Sequence, residues 1–249
     1  MNSIMISFII TSFAGFATML GILPIFFSGR KQDIIIPFSL AFSAGVMLSI
    51  SFFSLIPEAT SLIGKTFLMV PTMLLTGIFV VCGILFSSFV DGKIEKKFSS
   101  NLLYRVGIVS VIALIFHNIP EGITTFLSSS QDLLLGITLA IGIALHNIPE
   151  GISIAIPIYY ATYSKKKAVF FTFLSGFSEL FGAVLAYLFL TPIITFFGLG
   201  AILAMAAGIM IHISVYELLP TAWRYPIPIR IILSFLLGVF IMFFCQMII

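Results

Sequence analysis

The sequence predicts an all-α integral membrane protein with eight transmembrane helices. Three observations carry this reading. Of 249 residues, 60% are hydrophobic and only 8% are charged. Mean hydropathy is +1.24, which no water-covered globule of this length approaches, because its surface must be polar. The apolar runs do not alternate and last roughly 20 residues, as a membrane-spanning helix requires and a membrane strand does not.

The spans follow in order. The first covers 3–27; no Lys or Arg occurs in the first 29 residues, so it lacks the basic start of a secretory signal and reads as a retained helix. SGRKQD at 28–33 ends it. The second span, 34–57, stops near Lys65. The third, 67–90, gives way to DGKIEKKFSSN at 91–101, the longest break. The fourth, 105–128, ends at SSSQD (128–132), and the fifth, 133–160, at YSKKK (163–167). The sixth, 166–190, ends at TP (191–192), the seventh, 196–219, at TAWRYP (221–226), and the eighth is 227–248. No break has room for a soluble catalytic domain or a nucleic-acid-binding arm. Residues 1–249 read as one polytopic transmembrane domain. Cys82 and Cys245 read as small buried hydrophobes, not a disulfide.

Lys and Arg collect on the cytoplasmic side of membrane proteins. Arg30, Lys31, Lys93, Lys96, Lys97, Arg105, Lys165, Lys166, Lys167, Arg224 and Arg230 lie in or beside odd-numbered breaks. Only Lys65 lies in an even one, which makes eleven of twelve. Odd breaks are therefore expected inside and both termini outside. Tyr104, Tyr159, Tyr160, Tyr163, Trp223 and Tyr225 lie near the same side, as interface aromatics do. The formal charge of +3 thus reports topology rather than an acidic partner.

Two spans resemble each other. Ala44–Ala59 reads AGVMLSISFFSLIPEA and Ala207–Ala222 reads AGIMIHISVYELLPTA, with eight of sixteen positions identical and no gap. Spans two and seven run in opposite directions, and so do spans four and five. That pairing predicts an inverted repeat, a plan in which transported substrate binds near the midplane.

The fourth and fifth spans each contain HNIPEG, at 117–122 and 146–151. The histidines His117, His146 and His212 all fall within spans, as do Glu121, Glu150, Glu179 and Glu217. Ionisable groups at such depth face a bundle interior and mark an ion or proton path. Four carboxylates there need compensation, and no Lys or Arg is expected at that depth; a bound cation would supply it. At about 100° per residue, with His117 at zero, Asn118 lies near 100° and Glu121 near 40°. The glutamate can share one cation with the histidine and another with the asparagine. His146, Asn147 and Glu150 repeat the arrangement. Pro120 and Pro149 each disturb a helix and free backbone oxygen, and Gly122 and Gly151 admit close helix approach. Imidazole with carboxylate suits zinc and its transition-metal neighbours; calcium or magnesium would take oxygen alone. Ser175 lies one turn from Glu179 on the same face, which makes the sixth span a third contributor. Met47 and Met210 read as packing, and Glu58, Asp132, Asp33, Asp91 and Glu95 as solvated ends. The plainer alternative is interhelical hydrogen bonding with simple kinks; an identical hexapeptide twice argues against it. A packed hydrogen-bond pair remains as good a reading for His212 and Glu217.

The chain resembles the ZIP (Zrt/Irt-like) family of divalent-metal transporters, most closely its bacterial ZupT branch. The resemblance rests on both HNIPEG motifs, on SGFSEL in the sixth span and on ISVYELLPTA in the seventh, and it covers nearly the whole chain. It implies a binuclear centre between the fourth and fifth helices. His117, Glu121, His146 and Glu150 would hold one metal. Asn118, Glu121, Asn147, Glu150 and Glu179 would hold the other. It also implies uptake of zinc, iron, manganese or cadmium across a bacterial inner membrane, with helices one, four, five and six moving against the rest. The metal is cargo, and no cofactor is implied. The departures are Ser54 where the branch usually has glutamate, Tyr216 where an acid often precedes Glu217, the unexpected His212, and no histidine in 91–103. An intramembrane metal-dependent hydrolase is the competing function; the usual HExxH helix is absent. Expected partners are divalent cations and lipid, not nucleic acid. Small-residue stretches such as AMAAG at 204–208 admit a homodimer.

Overall fold

The computed structural model describes residues 3–27, 32–98, 100–190 and 194–248. Among these, eight helices are long and apolar enough to cross a membrane, and no strand occurs. They are α1 (Ser3–Phe27), α2 (Gln32–Gly64), α3 (Met69–Phe98), α4 (Leu102–Gln131), α5 (Leu133–Thr162), α6 (Lys165–Phe189), α7 (Phe196–Ala222) and α8 (Pro228–Met247). Arg30, Lys31 and the 191–192 break lie outside the described residues.

Several helices outrun their apolar stretches. α2 continues beyond Pro57, and α3 carries the charges of DGKIEKK as helix to Phe98. Hydropathy marks where hydrocarbon ends, whereas backbone hydrogen bonding carries on into water. Chain reversals are tight and capped. The Asp132 carboxylate accepts from the Leu134 and Leu135 amides at 2.9 and 3.1 Å, so this end residue starts α5. Asn101, Ser164 and Thr195 cap α4, α6 and α7 in the same way. Tyr163, at φ 50°, takes the left-handed position that ends α5.

The breaks sort to two ends. The Tyr163 hydroxyl donates to Gln32, Lys165 lies over Phe26, the Asn101 amide donates to the Ala161 carbonyl, and Arg105 bridges Glu95 and Glu217. These contacts gather the described parts of the first, third and fifth breaks at one end, with Glu217 of α7 beside them. Lys65 over Phe196 and the Phe67–Phe197 ring contact tie the second and sixth breaks together at the other. Apart from Lys65, at that other end, the basic residues of the described third and fifth breaks therefore lie at one end of the bundle.

The likeness of α2 and α7 extends to the backbone. Each carries a π-helical turn within the repeated segment, Ser51–Leu55 and Ile213–Leu218, two residues ahead of Pro57 and Pro220. A wider turn there suits a proline that cannot donate to the preceding turn. Gly45 and Gly238 bring α2 against α8, and Gly208 and Gly83 bring α7 against α3; a Cβ at any of the four would overlap backbone oxygen. Gly15 of α1 and Gly176 of α6 abut each other reciprocally. The α2–α8 and α7–α3 contacts thus match each other when two is exchanged with seven and three with eight, as an inverted repeat requires. α2 and α7 are the most enclosed helices, with 72% and 61% of their apolar windows buried, against 17% for α3 and 22% for α8.

Two expectations change. AMAAG lies inside the chain, with Ala204, Ala206 and Ala207 buried and Gly208 packed on Val80, so it offers no surface to a second copy. Cys82 is exposed on α3 rather than buried; neither cysteine forms a disulfide.

Candidate metal centre

Both HNIPEG motifs lie mid-way along unbroken α-helices, Pro120 inside α4 and Pro149 inside α5. Their glycines set the spacing. Gly122 meets the backbone of α6 at Glu179, and Gly151 meets that of α1 at Thr18. A side chain at either would push a flanking helix away from the motif. α1, α4, α5 and α6 therefore close around one buried polar cluster.

His117, Asn118, Asn147, Glu150 and Glu179 are fully buried, and Glu121 and His146 are nearly so. Each motif's histidine meets the other helix's glutamate. His117 Nε2 lies 3.3 Å from Glu121 Oε1 and 3.3 Å from Glu150 Oε1; His146 Nε2 lies 3.0 Å from Glu121 Oε1. His117, Glu121 and His146 each offer a donor atom within 4.8 Å of the others. Donor atoms 2.0–2.2 Å from a tetrahedral zinc stand roughly 3.3–3.6 Å apart, so the histidine–carboxylate spacings are close to those a zinc ion requires.

The asparagines face the other way. The Asn118 amide donates to the Ser175 carbonyl at 3.1 Å, and the Asn147 amide donates to the Ala14 carbonyl at 2.9 Å. Asn147 also donates to Glu179 Oε2 at 2.8 Å. A carbonyl can only accept, so these bonds fix both amides with nitrogen toward α6 or α1. Both Oδ1 atoms are left buried and unpartnered, as are Glu179 Oε1, Glu121 Oε2 and Glu150 Oε2, while Glu150 Oε1 has only the approach of His117 Nε2 at 3.3 Å. Buried polar atoms are normally satisfied, and an unpaired one costs a few kcal/mol, about 1–3 each. The two motifs and Glu179 thus bury six acceptor oxygens and two imidazoles without enough protons to satisfy them. That donor set fits a cation.

The profile of the family described as "ZIP Zinc transporter" matches residues 93–246. The chain is also similar to three bacterial proteins called "Zinc transporter ZupT". That of Streptococcus mutans is 39% identical over 88% of this chain and 88% of its own length. That of Oceanobacillus iheyensis is 40% identical, with 90% and 91% covered. That of Campylobacter jejuni is 40% identical, with 90% and 89% covered. The chain belongs to the ZIP family.

Within this ZIP chain, two candidates lie apart from the cluster. Glu217 is paired with Arg105 at 2.8 Å, and Arg105 also holds Glu95 at 2.7 Å. The expectation that no basic residue compensates the buried acids is thus corrected for Glu217. Arg105 opens α4, and its long side chain reaches inward while its backbone stays near the end of the bundle. His212 Nδ1 lies 3.0 Å from the Ser87 hydroxyl and its ring stacks on Tyr216. Sequence reasoning missed the contribution of α1, which supplies the Ala14 carbonyl and the Thr18 backbone; a backbone contact carries no residue signature. It also missed Ser43, whose hydroxyl donates to the Pro149 carbonyl at 2.7 Å and ties α2 to the second motif.

Proposed function

We propose that this ZIP chain carries divalent transition-metal cations, zinc first, across a bacterial inner membrane into the cytoplasm, with both termini outside. It is a transporter and not an enzyme. One observation carries the reading: two histidines and two glutamates from antiparallel helices converge in a buried cluster whose acceptor oxygens outnumber the available donors. A dication neutralises the carboxylates and supplies the missing partner for their oxygens.

The centre holds two metals. His117, His146, Glu121 and Glu150 form the histidine side. Asn118 Oδ1, Asn147 Oδ1 and Glu179 form the asparagine side, with the motif glutamates shared. Glu121 Oε1 already faces both imidazoles while Oε2 is free, as a bridging carboxylate needs. Iron, manganese and cadmium fit the same mixed donors. Lipid covers the apolar outer faces of α3 and α8, and a second copy of the chain would meet one of these.

Influx into liposomes holding a zinc-sensitive dye tests the function. Purified protein should admit zinc down its gradient, and empty liposomes should not. A protein that binds zinc but leaves the dye unchanged would contradict transport and turn attention to hydrolysis.

A further inference from the structure

Glu58, read from the sequence as a solvated end, instead lines a cavity inside the bundle and has no role in the buried centre. Glu58 of α2 is half-buried and has no hydrogen-bond or ion-pair partner among the described residues. It sits where two cavities meet. The inner one, about 220 Å³, has Glu121 and His146 in its wall together with Ser54, Thr124 and Gln246. The outer one, about 970 Å³, lies at the end that carries the even breaks and is lined by Lys65, Ser128 and Gln131 among others. Glu58, Thr124 and Leu139 belong to both walls. They form the partition between the mouth and the metal centre, and Glu58 is the only carboxylate on it.

Two further observations bear on what passes there. Ser54 lies one helical turn before Glu58, so both side chains face the same cavity. Gln246 reaches it from α8 with its amide nitrogen buried and unpartnered, so no bond fixes that amide and its oxygen can turn to a cation. The opposite end differs. In the α2–α7 repeat, Ser54 corresponds to Glu217 and Glu58 to Thr221. Glu217 is paired with Arg105, whereas Glu58 has no ion-pair partner among the described residues, and Lys65 in the outer cavity wall lies over the Phe196 ring instead. Carboxylates in a passage with low-dielectric walls, here Glu58 and, further in, Glu121, concentrate cations. Carboxylate, hydroxyl and amide oxygens without imidazole hold a divalent ion loosely and let it keep water.

We propose that Glu58, with Ser54 and Gln246, forms a staging site that captures hydrated divalent cations before they are stripped by His146 and Glu121. The proposal rests on the transport reading above and adds the place where cargo is first held. Its signature is a change in apparent affinity without loss of the transport step.

Zinc influx into liposomes across a range of zinc concentrations is the test. Glu58→Gln keeps the shape and removes the charge. It should raise the half-saturation concentration about five- to tenfold while the maximal rate stays within about twofold of wild type. Ser54→Glu combined with Glu58→Gln returns a carboxylate to the same cavity and should restore much of the affinity. Unchanged half-saturation in Glu58→Gln, with active wild type and inactive Glu121→Ala, would overturn the staging site and leave transport standing. Inactive wild type would instead sink the transport reading. Zinc binding to the purified protein at equilibrium tests the site without transport. Glu58→Gln should bind one weak equivalent fewer than wild type with its tight binding unchanged; equal stoichiometry would overturn the proposal.

Discussion

His146 Nε2 on α5 lies 3.0 Å from Oε1 of Glu121 on α4. The pairing crosses between helices, and His117 makes the converse approach to Glu150 at 3.3 Å. Neither motif therefore closes a site by itself. Each supplies an imidazole to the other's carboxylate, which explains why the hexapeptide occurs twice on antiparallel helices.

Loss of either shared carboxylate is predicted to stop uptake. Glu121→Ala or Glu150→Ala should reduce zinc influx by roughly a hundredfold or more, since even outer-sphere changes at metal sites cost 10–100-fold. Influx would be compared at equal amounts of membrane-inserted protein. Wild-type rates in either variant would refute the role.

Helix spacing around the centre rests on two glycines. Gly122→Ala and Gly151→Ala each place a Cβ onto a carbonyl oxygen of a neighbouring helix, Glu179 and Thr18 respectively. Backbone cannot swing aside as a side-chain tip can, so each should destabilise the fold by roughly 1–3 kcal/mol. Thermal unfolding in detergent reads this; a melting temperature equal to wild type would contradict the packing.

Arg105 and Glu217 should behave as a unit. Their side chains are 16% and 1% exposed. Arg105→Ala leaves a buried carboxylate uncompensated, a loss of about 3–5 kcal/mol. Adding Glu217→Gln should recover much of it. Stability of Arg105→Ala equal to wild type would show that the pair contributes nothing.

Topology is tested by labelling cysteines in sealed cells. Ser129 is buried against the Phe126 carbonyl, so Gln131, which is exposed, is the better probe of the fourth break. Gln131→Cys should react from outside and Lys166→Cys from inside. Reaction of both from one side would refute the orientation read from the Lys and Arg distribution.

Much of the fold was legible because hydrocarbon imposes a simple code. Spans, breaks and the clustering of basic residues at one end all follow from hydropathy and charge. Helix ends were less so, since the charged tail of α3 stays helical beyond the apolar window. At the centre, His117, Asn118, Glu121 and their α5 counterparts stood out because polar groups at that depth are expensive. Glu179 was legible through its neighbours Ser175 and Ser178. The Ala14 carbonyl, the Ser43 bond to Pro149 and the reach of Arg105 were not. Each depends on which helices become neighbours, and neither hydropathy nor motif spacing encodes that.

Anomalous diffraction from crystals soaked in zinc tests the two-metal centre most directly. Wild type should show two peaks between α4 and α5. His146→Ala should weaken the histidine-side peak only. Asn118→Ala or Glu179→Ala should weaken the asparagine-side peak only. Glu121→Gln should diminish both, because it removes a charge shared between two mutually repelling dications. A single peak in saturated wild type, or two undiminished peaks in Glu121→Gln, would contradict the bridged centre even if the protein still moves zinc.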